Sequence, residues 1–243
     1  MNKTTLEKFI KKYALDGSVS AVRWKCENET LSARFVTEDK ALLGELKLSN
    51  FKNTALDGCQ MGIGETETLS KLLGVVGTDV DVSVKNAGDR CMSISFSDDL
   101  LSSEYFLSDL SVLPEAPTLK HKPDFNAELK LSSDIIGAFI RGKTALPDTE
   151  TFTLMEDKTS SDTIKLIIGY STINTNRVTI PVTTQKMDGF EMVSFNAKHF
   201  KSVLSANKEC KESILQVSNE GLAKITFAHD DFSVTYYLVA VNN

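Results

Sequence analysis

Apolar residues along this chain follow two rhythms in turn. Leu6, Phe9, Ile10 and Tyr13 fall on one face at helical spacing, and the period-two runs SAVRW, TLSARFV and LLGELKL follow them. Further on, Leu69, Leu72, Leu73 and Val76 repeat the helical stripe ahead of alternating strands at Val80, Val82 and Val84 and up to Phe96. The second half does the same. Ile135, Ile136, Phe139 and Ile140 precede TFTLME, TIKLIIGY and RVTIPV, and Phe200, Val203 and Leu204 precede Ile214, Leu215, Val217 and a strand ending at Phe227. The turns KNAGD and SNEGL place Gly88 and Gly221 where a hairpin needs positive φ.

The segments beginning TETLSKLLGVVG and AKHFKSVLSANK thus share one order, helix, strand, hairpin, strand, closing on EYFLSDL and TYYLVAV. Each half carries two helix-plus-strands units, which predicts an α+β fold of two similar domains with antiparallel sheets. Three of the five prolines, Pro114, Pro117 and Pro123, fall where the periodicity lapses. That predicts an extended linker over 113–125 between a domain at 1–112 and another at 126–243.

The third helical stripe contains a formal phosphate-loop match, Gly137, Gly142, Lys143 and Thr144. Its four variable positions are Ala, Phe, Ile and Arg, too bulky and apolar for a loop whose amides face a ligand. The stretch reads instead as an amphipathic helix with Ser133 or Asp134 at its N-cap, Gly142 at its end and Pro147 blocking continuation.

Composition narrows the chemistry. Lys+Arg 27 against Asp+Glu 33 gives a net charge of −6, so contact with nucleic acid must be local. Four scattered cysteines and three unclustered histidines disfavour a disulfide framework and a zinc site, and no cofactor or metal is expected. The N-terminus reads as a folded helix, with neither signal peptide nor membrane span, which suits a cytoplasmic protein. The acidic pairs Asp98/Asp99 and Asp230/Asp231 sit at hairpin tips, and no catalytic triad can be argued from spacing, so no enzyme is expected.

The polar sides of the four helices oppose the charge of the whole. Lys8, Lys11 and Lys12 lie on the first, Lys71 on the second, Arg141 and Lys143 on the third, and Lys198, Lys201 and Lys208 on the fourth. Solvation of an exposed helical face explains any one of these; repetition in an acidic chain points to a polyanion.

The run VTIPV…MVSFNAKHFKSVLSANKE…ILQVSNEGLAKITF…FSVTYYLVA resembles the second domain of DNA sliding clamps of the proliferating cell nuclear antigen and T-even-type phage class. The resemblance is specific over the last sixty or so residues and weaker, through the duplicated layout, over the rest. It implies helices lining a central hole, sheets forming an outer shell, and duplex DNA threaded through without sequence readout, with the cations above facing the duplex. It also implies a homotrimer, a clamp-loader ATPase and a replicative DNA polymerase as partners, with a host-cell setting if the chain is viral. Subunits would join through SSEYFLSDL and DTIKLIIGY, with Tyr105, Leu107, Ile164, Leu166 and Ile168 as candidates. The polymerase tail would dock on Val36, Leu42, Leu113, Pro114, Leu119, Tyr237, Leu238 and Val239. The chain ends VAVNN, without the proline and acidic tail of some clamps, which leaves the rim of that pocket open. A monomeric processivity factor of the same fold and a phage structural protein stay open as alternatives; the first wants a basic chain, unlike this one.

Overall fold

Asn2 starts the first helix: its backbone is extended and its side-chain oxygen accepts the Thr4 amide, so α1 (Lys3–Ala14) begins capped. The computed structural model describes residues 2–88, 90–119 and 121–241. The chain divides into two compact units, one of Met1–Glu38, Gly44–Pro117 and Asp230–Val234, the other of Asp39–Leu43, Thr118–His229 and Thr235–Asn243. Residues 39–43 and 230–234 therefore pack apart from the segments that flank them in sequence.

In the first unit, β1 (Val22–Glu27), β2 (Thr30–Val36), β3 (Leu42–Leu48, of this unit from Gly44 onward) and β4 (Gln60–Ile63) lie in the order β3-β2-β1-β4. Asn28 and Glu29 join β1 to β2 with φ of 51° and 54°, the double left-handed turn that matches strand twist. After α2 (Thr66–Gly74) comes a three-stranded antiparallel sheet, β5 (Asp81–Ala87), β6 (Arg90–Ser97) and β7 (Ser102–Phe106), with β6 central. Phe9 meets Trp24 edge-on with ring centroids 5.3 Å apart, and Tyr13 packs on Trp24 and Phe35, so the stripe of α1 seats on β1 and β2. Asp98 closes the β6–β7 tip by accepting the amides of Gly77, Leu100 and Leu101 at 2.5, 2.8 and 2.9 Å. Those bonds, the one from Gly77 foremost, hold its carboxyl below the usual range.

In the second unit the order is β12 (Val193–Asn196), β9 (Thr151–Glu156), β10 (Thr163–Ile168), β11 (Val178–Met187), β8 (Ala127–Ser132), β13 (Glu212–Val217), β14 (Leu222–His229) and β15 (Phe232–Val239), which belongs to this unit from Thr235 onward. Helices α3 (Ser133–Ala145) and α4 (Ala197–Ala206) pack on it through Phe139, Phe152 and Phe200, whose ring centroids lie 4.5 to 5.2 Å apart. Asn196 caps α4 by accepting the His199 amide at 2.9 Å. Asn207 closes it, donating at 2.9 Å both to the Val203 carbonyl and to the buried Tyr236 hydroxyl.

The chain is α+β, and its elements follow the duplicated order of the sequence: α1-β1-β2-β3 and α3-β9-β10-β11, then α2-β5-β6-β7 and α4-β13-β14-β15. Gly88 and Gly221 take positive φ, 62° and 84°, at the two hairpin turns. The third helix departs from expectation at both ends. Ser132 is its N-cap, and the helix continues past Gly142 to Ala145. Gly142 serves packing: a Cβ there would lie 2.9 Å from Val178 Cγ1 and 3.1 Å from Ile168 Cδ1, so α3 lies close on β10 and β11.

Candidate nucleic-acid interface

Helices α3 and α4 bring most of the second unit's candidate cations together. Arg141, Lys198 and Lys208 are exposed and Lys201 half-buried, because Phe200, Val203 and Leu204 take the opposite face of α4 into the core. Lys143 is a correction. It is only 7 % exposed, and its amino group donates to the Leu146 and Pro147 carbonyls at 3.3 and 2.7 Å, closing the end of its own helix. Burial first, then the positive charge of Lys201, lowers its pKa; Lys198 adds to this and Asp148 opposes it. The lysine of the phosphate-loop match is thus a helix cap that stands in the field of two lysines of α4, Lys198 and Lys201.

The first unit is less basic than its sequence suggests. Lys12 is 1 % exposed, with its amino group 5.3 Å from the Phe232 ring centroid, so it faces neither solvent nor a duplex. Lys71 is bound to Glu67 at 2.6 Å one turn away. Lys8 and Lys11 remain on α1 as half-buried and exposed cations. Between α1 and α2 lies a cavity of about 630 Å³ whose charged lining is Glu7, Asp16, Glu65 and Glu67 against Lys11. Spacing along the chain misses those acids as a group, because they lie on two helices and the turns beside them and converge only on folding.

Among the strand edges without a strand partner in the described residues, alongside the outer edges of β4, β5 and β12, are those of β7 and β11. β7 pairs with β6 alone, and the Leu107 amide donates to Met92, so the peptide groups of residues 103, 105 and 107 face β6 while those of Ser102, Glu104 and Phe106 face outward. The SSEYFLSDL strand thus has an outer edge without a strand partner, but Tyr105 and Leu107 turn their side chains inward, where the Tyr105 hydroxyl accepts the Gly64 and Glu65 amides. The exposed side chain is Phe106, at 72 %.

The other expected edge is a correction. β10 is paired on both sides, with β9 and β11, and Ile164, Leu166 and Ile168 are core residues. The open edge belongs to β11, which pairs with β10 over 178–183 and with β8 only from 184 onward. The Thr184 amide bonds Asp162, so Thr179, Pro181 and Thr183 present the outward peptide groups. A proline at an outward position fits an edge, where no ladder bond is lost.

The proposed partner-peptide residues separate. Leu113 packs against Gly62 of β4, its carbonyl accepts Arg23 at 2.8 Å, and Arg34 holds the Pro117 carbonyl at 2.7 Å; these contacts, with Val36 and Pro114, belong to the first unit. In the second unit the Val239 amide donates to Ala41, next to Leu42, and the Lys122 amino group stands 5.6 Å from the Tyr237 ring centroid, with Leu119 half-buried. Strand alternation puts Tyr237 and Val239 on one face of β15 and Leu238 on the other, and Leu42 and Leu238 are buried in the core. Those two line no open groove.

Among the described residues no group of three or more His, Cys, Asp or Glu side chains is placed to hold a metal ion, and no helix is long and apolar enough to cross a membrane. No protein-family model matches the sequence, and no curated protein matches it. Solved structures do. The proliferating cellular nuclear antigen of Entamoeba histolytica superimposes with a TM-score of 0.76 at 15 % identity, over 100 % of this chain and 97 % of that one. The fold is that of the DNA clamps.

Proposed function

We propose that this protein is a sliding clamp, whose copies join head to tail into a closed ring around duplex DNA and tether a replicative polymerase. The observation that carries the reading is the pair of unpaired edges, β7 in one unit and β11 in the other, within a chain that has the clamp fold along its whole length. Two different edges on one molecule give a heterologous contact, and a heterologous contact that closes makes a ring. The cations on α3, on α4 and just past its end, exposed Arg141, Lys198 and Lys208 with half-buried Lys201, supply the contact with phosphates. A net charge of −6 keeps the rest of the surface off the polyanion, so retention comes from threading and affinity stays low. A ring of this kind is opened by an ATP-driven loader and holds its polymerase through a short apolar tail at the exposed Val239 face of β15.

Native mass together with residence time on DNA tests the proposal. The expected species has three times the 26.7 kDa chain mass, and, once loaded, outlasts a salt challenge on covalently closed plasmid but runs off the same plasmid after linearisation. A species of single chain mass, or equal lifetimes on the two DNAs, overturns it. Extension of a primer on a circular template, with and without the loader, reads the tethering of polymerase directly.

A further inference from the structure

Two cysteines from distant parts of the first unit meet at one cavity. Cys59 follows the tight turn before β4 and lies opposite Cys26 of β1, whose amide donates to the Cys59 carbonyl at 3.0 Å. Cys91 is the second residue of β6, paired with Asn86. The chain after β7 holds these strands together: the Leu107 amide donates to Met92 at 2.8 Å and the Ser108 amide to Gly62 at 2.9 Å. As a result Cys59 and Cys91 come together as neighbours that both line an open cavity of about 550 Å³ with Asp57, Gln60 and Arg90, the Cys59 thiol donating to the Ala55 carbonyl at 3.9 Å. Both are free thiols, Cys59 buried and Cys91 half-exposed.

We propose that Cys59 and Cys91 form a dithiol that peroxide, entering through this cavity, converts to a disulfide. Burial, then the contact with Cys91, pushes the Cys59 thiol up to about 12, so Cys59 is the weaker nucleophile and the accessible Cys91 reacts first. The Cys91 thiolate attacks one peroxide oxygen; an S–O bond forms, the O–O bond breaks and hydroxide leaves, taking up the thiol proton as water. The Cys59 sulfur then attacks the Cys91 sulfur; the S–S bond forms, the S–O bond breaks, and the departing oxygen takes the Cys59 proton as a second water. Two thiols lose two electrons and one peroxide gains them. The product ties the turn before β4 to the strand beside β7, so the sheet that carries the open edge is fastened to its neighbour. Cys26, 1 % exposed, and Cys210, 2 % exposed, stay reduced.

The folded protein is treated with hydrogen peroxide, quenched with catalase, unfolded, alkylated and digested with trypsin, which cuts at Arg34, Lys71 and Arg90 between the first three cysteines. One cross-linked species joining the Cys59 and Cys91 peptides is expected, with alkylatable thiols falling from four to two and returning with dithiothreitol. Cys26→Ser keeps the cross-link, and Cys91→Ser, at a half-exposed position that tolerates the hydroxyl, abolishes it. Four alkylated thiols after treatment, Cys91 over-oxidised beside an alkylated Cys59, a cross-link to Cys26, or one that forms as fast in urea-unfolded protein each overturns the proposal.

Discussion

The amino group of Lys143 lies 2.7 Å from the carbonyl oxygen of Pro147, bound to the end of the helix that carries it. A lysine so engaged is not available to a phosphate. Lys143→Ala is expected to lower folding stability by about 2 kcal/mol, the scale of a lost charge-assisted hydrogen bond from a buried lysine, as read by urea denaturation. Titration of the unaltered protein with ATP should produce no binding heat. An undiminished stability in the variant, or a saturable ATP signal, would contradict the cap.

The charge on the helices is uneven, and the two units should respond unequally. Reversing Lys198, Lys201 and Lys208 to Glu should lower the slope of log affinity against log salt by about two to three, near one for each phosphate that is no longer neutralised. Reversing Lys8 and Lys11 should change it less, because Glu7, Asp16, Glu65 and Glu67 already offset the charge beside α1. Fluorescence anisotropy on a short duplex measures both slopes, and far-ultraviolet circular dichroism confirms that the variants are folded.

Phe106, 72 % exposed on an unpaired edge, is an anchor without a partner in the single chain. Phe106→Ser should leave the melting temperature unchanged and shift the sedimenting species from three chain masses toward one. A lowered melting temperature with mass retained would make Phe106 a residue of the unit's own stability.

Asp157 accepts Lys165 at 2.8 Å and the Thr159 amide and hydroxyl at 3.0 and 2.7 Å. These bonds, the one from Lys165 foremost, bring its pKa from 3.8 down to about 2. A depressed carboxylate stabilises the folded chain above its unfolded value and loses that effect as pH falls through the folded one. Asp157→Asn should therefore melt at a lower temperature than the unaltered protein near neutral pH, and the gap should close between pH 3.8 and about 2. A gap that persists below that window would assign the loss to geometry and not to charge.

Some of this molecule is written locally. The helical stripes on α1 to α4, the alternation of the strands, the hairpin glycines and the doubled order of elements follow from side-chain spacing alone, and spacing survives in the linear chain. Caps are legible in kind but slip by a residue or a turn, as at Ser132 and Ala145, because neighbouring serines and glycines compete for the same end. Which lysines reach solvent is set elsewhere. Lys12 and Lys143 look like their exposed neighbours in sequence, yet one lies over Phe232, more than two hundred positions away, and the other folds back onto Pro147 beside the lysines of a different helix.

The open edges are settled in the same way. TIKLIIGY reads as a fair edge strand until β9 and β11 occupy both its sides, and the vacancy passes to β11 because β8 pairs with only its far end. Amphipathic period is a property of adjacent residues, so the order of residues was enough to dictate the elements and their buried faces. Burial of a charge and the pairing of a strand edge depend on what arrives from distant positions, and both were fixed when the chain packed in three dimensions.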